Sequence, residues 1–106
     1  DTFEADNSMD INAITVFMDR VYEKFTALGV PVIIGEFGCR DKNGNTQSRV
    51  DFTAAYVALA RSRGITCVWW DNAAFEGQGE LFGLLDRRTF RFVYPQILQA
   101  IIDHAN

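Results

Sequence analysis

Two short apolar segments separated by one helical segment constrain the fold more than any other feature of this sequence. Residues 31–37 and 65–71 are nearly continuous apolar runs rich in β-branched side chains, which is the composition of parallel strands covered on both faces. The Ala-rich segment 49–63 between them stops at Gly64 and predicts a helix. A strand, a helix and a strand joined by short turns form a right-handed parallel crossover, so the sequence predicts an α/β fold.

Two more helices flank this unit. Between residues 10 and 28 the apolar side chains recur at three- and four-residue steps before Gly29, as in an amphipathic helix that ends at a glycine. Pro95 suits the first turn of a last helix, whose apolar face consists of Ile97, Leu98, Ile101 and Ile102. The predicted order is therefore helix, strand, helix, strand, helix.

Charge and cysteine spacing argue against several classes of function. A net charge of −4 without clustered Lys and Arg does not fit a nucleic-acid-binding protein. Cys39 and Cys67 are too far apart for a CxxC motif and His104 has no ligand-type neighbours, so no metal or cofactor is predicted. No run approaches the ~18 apolar residues of a membrane span. Mild acidity is compatible with a neutral substrate such as a polysaccharide, and a start at Asp1 suggests processing or truncation.

The charged residue Glu36 lies near the carboxyl end of the first predicted strand. In parallel α/β folds, ligands and catalytic groups gather at this end of the strands. A carboxylate at Glu36 costs desolvation energy unless something uses or pairs it. The alternative to a functional role is an ion pair with Arg40 or Arg49. Strict strand alternation places Glu36 on the same face as Val32 and Ile34.

Aromatic and amide side chains mark the end of the second predicted strand. An indole at Trp70 can stack on the apolar C–H face of a sugar ring, whereas its neighbour Trp69 suits ordinary core packing. Alternation places Trp70 on the same face as Val68. Asn72 is a candidate for binding sugar hydroxyls or for capping a turn. Phe75 lies in the Gly-rich loop that follows and is a further candidate for substrate binding.

Three motifs together resemble one enzyme family. Residues 32–38 (Val-Ile-Ile-Gly-Glu-Phe-Gly), 68–72 (Val-Trp-Trp-Asp-Asn) and 82–89 (Phe-Gly-Leu-Leu-Asp-Arg-Arg-Thr) closely resemble the last two strand–loop units of family 5 glycoside hydrolases, the endoglucanases and their relatives. The resemblance implies that residues 1–106 form the C-terminal portion of an eight-stranded TIM barrel, from about the sixth helix to the eighth. It also implies that Glu36, on the seventh strand, is the nucleophile and that Trp70, on the eighth, stacks on the sugar at the cleavage point.

The sequence also departs from the family pattern. Retaining glycosidases use two carboxyl groups about 5–5.5 Å apart, and the family places its acid/base in an Asn-Glu-Pro motif on the fourth strand. No Asn-Glu pair occurs here. Among other acids, Asp71 is expected to point away from the face of Glu36, and Glu76 and Glu80 lie in a loop with nothing evident to hold them nearby. A full barrel needs ~250 residues, so the acid/base is expected outside this chain.

The resulting prediction is part of a retaining endo-β-1,4-glucanase that carries the nucleophile and is inactive alone. The alternative is a non-catalytic partial-barrel folding unit or fragment. The expected partners are a β-linked polysaccharide or oligosaccharide and either the remaining N-terminal barrel segment or a second copy of the chain. Because such a substrate is large and often insoluble, an extracellular, secreted location is expected.

Overall fold

The helices and strands occur in the predicted order in the computed structural model, which describes residues 8–106. The main elements are α1 (Ser8–Lys24), β1 (Ile33–Phe37), α2 (Thr46–Ser62), β2 (Thr66–Trp69) and α3 (Pro95–His104). A short 3₁₀ helix (Thr26–Leu28) follows α1, and a small antiparallel hairpin of β3 (Leu85–Asp86) and β4 (Arg91–Phe92) precedes α3. Strands β1 and β2 pair in parallel and are connected by α2, as the crossover pattern predicts.

The first helix ends earlier than its apolar periodicity predicts. Helix α1 stops at Lys24, and the chain then tightens into the 3₁₀ turn over Thr26–Leu28. Gly29 closes this turn with a left-handed backbone (φ 79°) and donates its N–H to the carbonyl of Thr26 at 3.1 Å. Only glycine adopts this conformation without steric cost, so Gly29 ends the helical segment as predicted.

Helices α1 and α2 cover one face of the two-stranded sheet. Met18 of α1 and Ala60 of α2 are fully buried and pack together with Ile65, directly before β2. Ile34 and Cys67 pack against this cluster from the sheet. On the far side of α2, helix α3 contributes Ile97 and Ala100 to the core. Apolar side chains therefore fill the space between the helices and this face of the sheet.

A bulge in β1 changes which side chains share a face. Ile34 pairs with Cys67, but the next pair is Phe37 with Trp69, so β1 advances by three residues where β2 advances by two. The extra residue reverses the alternation. Ile34 and Phe37 both face the helices, and Glu36 faces away from them. The prediction that Val32, Ile34 and Glu36 share one face is therefore wrong.

The opposite face of the sheet has no cover within residues 8–106. Ile33 is 70% exposed and Val68 is 49% exposed. The sequence predicted that Ile34 and Val68 would face open space. This is wrong for Ile34, which packs against the helices, because the bulge puts Ile34 and Glu36 on opposite faces. Ile33 is the exposed residue instead. Apolar sheet faces and open strand edges invite association.

We therefore expect the isolated chain to self-associate in solution. Sedimentation should give species larger than 12.0 kDa, and the double variant Ile33→Lys/Val68→Lys should shift the distribution towards monomer. Charge on that face makes its burial costly. A stable 12.0 kDa monomer that unfolds cooperatively without these substitutions would contradict this expectation.

Candidate active site

An open depression lies at the carboxyl ends of β1 and β2. Its volume is about 260 Å³, and it is lined by Glu36, Phe37, Gly38, Trp70, Glu80 and Phe82. The backbone N–H of Trp70 donates to the carbonyl of Phe37 at 2.8 Å, which holds the two strand ends side by side. The prediction that Glu36 and Trp70 face one cleft is confirmed.

The carboxylate of Glu36 is exposed and has no ion pair with another residue in the range 8–106. The alternative of a partner arginine fails because Arg49 is used elsewhere. Its Nε donates to the carbonyl of Cys39 at 3.2 Å, and its guanidinium lies 4.5 Å from the ring centroid of Tyr94. Arg40 forms no ion pair with Glu36 either. The carboxylate of Glu36 is therefore available to a ligand.

The two tryptophans have different surroundings. Trp69 packs its ring edge-on against Phe37, with centroids 5.5 Å apart, and its Nε1 donates to the carbonyl of Phe82 at 3.1 Å. Trp70 is 42% exposed and lines the depression beside Glu36. Trp69 thus stabilises the fold, as predicted, and Trp70 offers an aromatic surface to a ligand.

Asn72 holds the loop that follows β2. Its Nδ2 donates to the carbonyl of Glu80 at 2.7 Å, and its Oδ1 accepts from the N–H groups of Ala74 at 3.1 Å and Phe82 at 3.3 Å. This is the turn-stabilising alternative, and Asn72 does not line the depression. The geometry gives no support to the prediction that Asn72 binds substrate.

Phe75 packs inside the same loop. A Cβ atom at Gly83 would fall 2.6 Å from Cζ of Phe75 and 2.8 Å from the carbonyl oxygen of Ala74. Only glycine therefore fits at position 83, beneath the phenyl ring. Since Phe75 is also absent from the lining of the depression, its predicted substrate contact is likewise without support.

The carboxylate of Asp71 is also used within the loop. Its Oδ1 accepts from the N–H of Ala73 at 2.9 Å and its Oδ2 accepts from the N–H of Leu85 at 3.0 Å. Arg87 donates to the carbonyl of Asp71 at 3.0 Å. The end of β2 is therefore tied to the start of the hairpin, and both carboxylate oxygens of Asp71 already accept backbone hydrogen bonds there.

Glu80 is the residue that the sequence did not reveal. We expected nothing to hold it near Glu36, yet it lines the same depression, and Asn72 fixes its backbone. Asparagine just beyond a strand end is a general turn signal. It does not indicate which distant residue the amide will bind, so this arrangement had no usable signature in the sequence.

The cysteines offer no chemistry to this site. Both are free and partly buried. Burial raises the pKa of Cys39 to about 11, so its thiol stays protonated and unreactive near neutral pH. Residues 8–106 contain no cluster of His, Cys, Asp and Glu side chains that could hold a metal ion, and none of their helices is long and apolar enough to cross a bilayer.

Comparison with known proteins then identifies the family. The model for cellulase, glycosyl hydrolase family 5, matches residues 1–76. The chain belongs to glycosyl hydrolase family 5. Its relatives include Endoglucanase B of Neocallimastix patriciarum, 43% identical over 91% of the chain, and Endoglucanase A of Clostridium longisporum, 45% identical over 91% of the chain.

Solved family 5 structures match the same fold. A Caldicellulosiruptor lichenase, 55% identical, superposes on 99% of the chain with a TM-score of 0.97. A broad-specificity endoglucanase from Clostridium cellulovorans, 40% identical, superposes on 99% with a TM-score of 0.92. The family 5 fold is the eight-stranded β/α barrel. This chain spans 20% and 19% of the two relatives and 28% of the lichenase, so it corresponds to a small part of each.

Proposed function

We propose that this chain supplies the nucleophile and a sugar-stacking surface to a retaining endo-β-1,4-glucanase. In this role Glu36 attacks the anomeric carbon, the glycosidic bond to the leaving oxygen breaks, and a glycosyl ester forms on the Glu36 carboxylate. Water then cleaves the ester, assisted by an acid/base carboxyl group from the part of the barrel outside this chain. Trp70 stacks on the sugar at the point of cleavage.

One observation carries this proposal. A carboxylate that has no ion pair within the described part of the chain and an exposed indole line one depression at the carboxyl ends of adjacent parallel strands. Catalytic groups of β/α barrels lie at this end. Behind the depression, Phe37 stacks on Tyr56 of α2 with centroids 4.7 Å apart and planes inclined by 6°, which helps to hold the end of β1 in place. Preorganisation of this kind keeps a nucleophile in its reactive position.

We also propose how the elements correspond to a complete barrel. Strands β1 and β2 are the seventh and eighth barrel strands, and α1, α2 and α3 are the sixth, seventh and eighth helices. The uncovered face with Ile33 and Val68 then points into the barrel interior, which side chains from the other strands fill. The proposal accounts for why apolar side chains lie on that face.

A chimera tests the proposed function. The chimera, called the completed barrel below, is the Caldicellulosiruptor lichenase in which this chain replaces the corresponding segment. We expect it to hydrolyse cello-oligosaccharides and, by NMR, to release the β-anomer first, because two displacements retain configuration. Release of the α-anomer would exclude a glycosyl ester on Glu36. Absence of hydrolysis by a folded chimera would contradict the proposed function itself.

Removal of the stacking surface is expected to weaken turnover. Trp70→Ala in the completed barrel should lower kcat/KM on cellotetraose about tenfold or more, with little change in thermal stability because the indole is exposed. The matched variant Trp69→Ala should mainly lower the melting temperature, since it removes buried packing and the bond to Phe82. Kinetics of Trp70→Ala equal to those of the parent chimera would rule out a stacking role.

A further inference from the structure

Hydrogen bonds from three residues, two near the end of β2 and one in the loop after β1, hold the backbone of residues 80–82. The carbonyl of Glu80 accepts from Asn72 Nδ2 at 2.7 Å. The carbonyl of Leu81 accepts from the N–H of Asp41 at 2.9 Å. Phe82 donates its N–H to Asn72 Oδ1 at 3.3 Å and accepts from Trp69 Nε1 at 3.1 Å. A loop segment with this many specific bonds has one defined position.

The same segment packs against the nucleophile strand. A Cβ atom at Gly38 would lie 3.2 Å from Cδ1 of Phe82 and 3.5 Å from Cζ2 of Trp69. Gly38 is two residues beyond Glu36, so Phe82 rests on the backbone that leaves the proposed nucleophile. The segment that contains Glu80 is therefore held against the segment that contains Glu36 by the contact between Phe82 and Gly38.

The side chain at position 80 is charged, exposed and without an ion pair to another residue of the range 8–106. Arg40 and Lys42 line a neighbouring cavity of about 290 Å³ that Glu80 also borders, yet neither pairs with it. Fixing a backbone costs conformational entropy. The backbone of Glu80 is fixed although its carboxylate has no ion pair within residues 8–106, so the carboxylate is available to a ligand in the depression.

We propose that Glu80 is a substrate-binding residue whose carboxylate accepts hydrogen bonds from the hydroxyl groups of a glucosyl unit beside Trp70. An ionised carboxylate is a pure acceptor with two oxygens, and it can therefore bind two neighbouring sugar hydroxyls, which are donors. Hydrogen bonds to a charged group are stronger than neutral ones. This inference rests on the proposed function of the depression as a glucan-binding cleft.

The loop provides a matched control for this assignment. Glu76 is an exposed carboxylate of the same loop that does not line the depression. In the completed barrel, Glu80→Ala should lower kcat/KM on cellotetraose by about tenfold to a hundredfold, mainly through a higher KM, as loss of uniform binding requires. Glu80→Gln, which keeps one acceptor oxygen, should lose less, and Glu76→Ala should match the parent.

A change of leaving group separates binding from proton donation. The loss in Glu80→Ala should be the same for an aryl cellobioside with a good leaving group as for one with a poor leaving group. A loss confined to the poor leaving group would overturn the binding role, because that pattern belongs to a general acid. Equal kinetics of Glu80→Ala and Glu76→Ala would overturn it as well.

Substitution of Asn72 gives a second test of the binding role of Glu80. Asn72→Ala releases residues 80–82 and should also raise KM, and combining it with Glu80→Ala should add little, because both act through one carboxylate. Full additivity would count against the linkage. Failure of the proposed function has a different signature, namely a completed barrel that is inactive or that keeps its activity when Glu36 is replaced.

Discussion

Replacing Glu36 with Gln in the completed barrel is expected to lower kcat/KM on cello-oligosaccharides by about 10⁴-fold or more, because removal of a covalent nucleophile typically causes a loss of this size. The amide has nearly the shape of the carboxylate, but it lacks the charge and the nucleophilic oxygen that form the ester. Glu36 is exposed and has no ion pair with the rest of the described range, residues 8–106, so its replacement should leave the melting temperature almost unchanged.

The measurement compares initial rates of the parent chimera, Glu36→Gln and Glu76→Gln, each checked by circular dichroism. Glu76→Gln removes the same charge from a nearby loop without touching the depression, and it should keep the parental rate. Full activity in Glu36→Gln would show that another group is the nucleophile. The loss for Glu80 variants is expected to be far smaller, which separates a binding carboxylate from a reacting one.

The isolated chain is expected to show no hydrolysis of cello-oligosaccharides above the buffer blank. Glu36 forms an ester only if an acid protonates the leaving oxygen, and acid/base assistance typically contributes about 10²- to 10⁴-fold alone. Much of the substrate-positioning wall is also expected to come from outside this chain, and misplacement of the substrate by even ~1 Å costs about 10²-fold.

The assay uses equal molar amounts of the isolated chain and the completed barrel, with product detected by chromatography. Glu80 is the other carboxylate that lines the depression, so the isolated Glu80→Ala chain is included beside it. Turnover by the isolated chain would contradict the expectation that the acid/base lies elsewhere. Loss of that turnover in Glu80→Ala would then identify Glu80 as the acid.

The order of helices and strands was predictable because it depends on local patterns. Apolar residues at helical spacing in α1, the β-branched runs of β1 and β2, and Pro95 at the start of α3 each carry their own signal. The clustering of Glu36 and Trp70 followed from a general property of parallel strands. These inferences need no knowledge of distant contacts.

The faces of β1 were not predictable in the same way. Strict alternation places Glu36 with Ile34, whereas the bulge after Ile34 rotates Glu36 to the other face. After the bulge, Phe37 faces the helices and packs on Tyr56, nearly twenty positions further along the chain. A pattern confined to β1 contains no trace of that contact.

Two other features depend on similarly distant partners. Arg49 is one of two candidate ion-pair partners for Glu36 in the sequence, yet it is only 1% exposed, beneath Tyr94 and the carbonyl of Cys39. The hairpin of β3 and β4 has strands of two residues each, too short for an alternating pattern to be recognised. The position of Glu80 depends on Asn72, eight residues away.

Mass spectrometry of a trapped ester tests most directly whether Glu36 forms the covalent intermediate. The completed barrel is incubated with a 2-deoxy-2-fluoro cellobioside bearing a dinitrophenyl leaving group, which forms the glycosyl ester but hydrolyses slowly because fluorine destabilises the oxocarbenium-like transition state. After digestion, we expect one added fluorocellobiosyl mass, on the peptide that contains Glu36 and at that residue, and none in Glu36→Gln. A label on another carboxylate, or turnover of natural substrate with no covalent label at all, would contradict it.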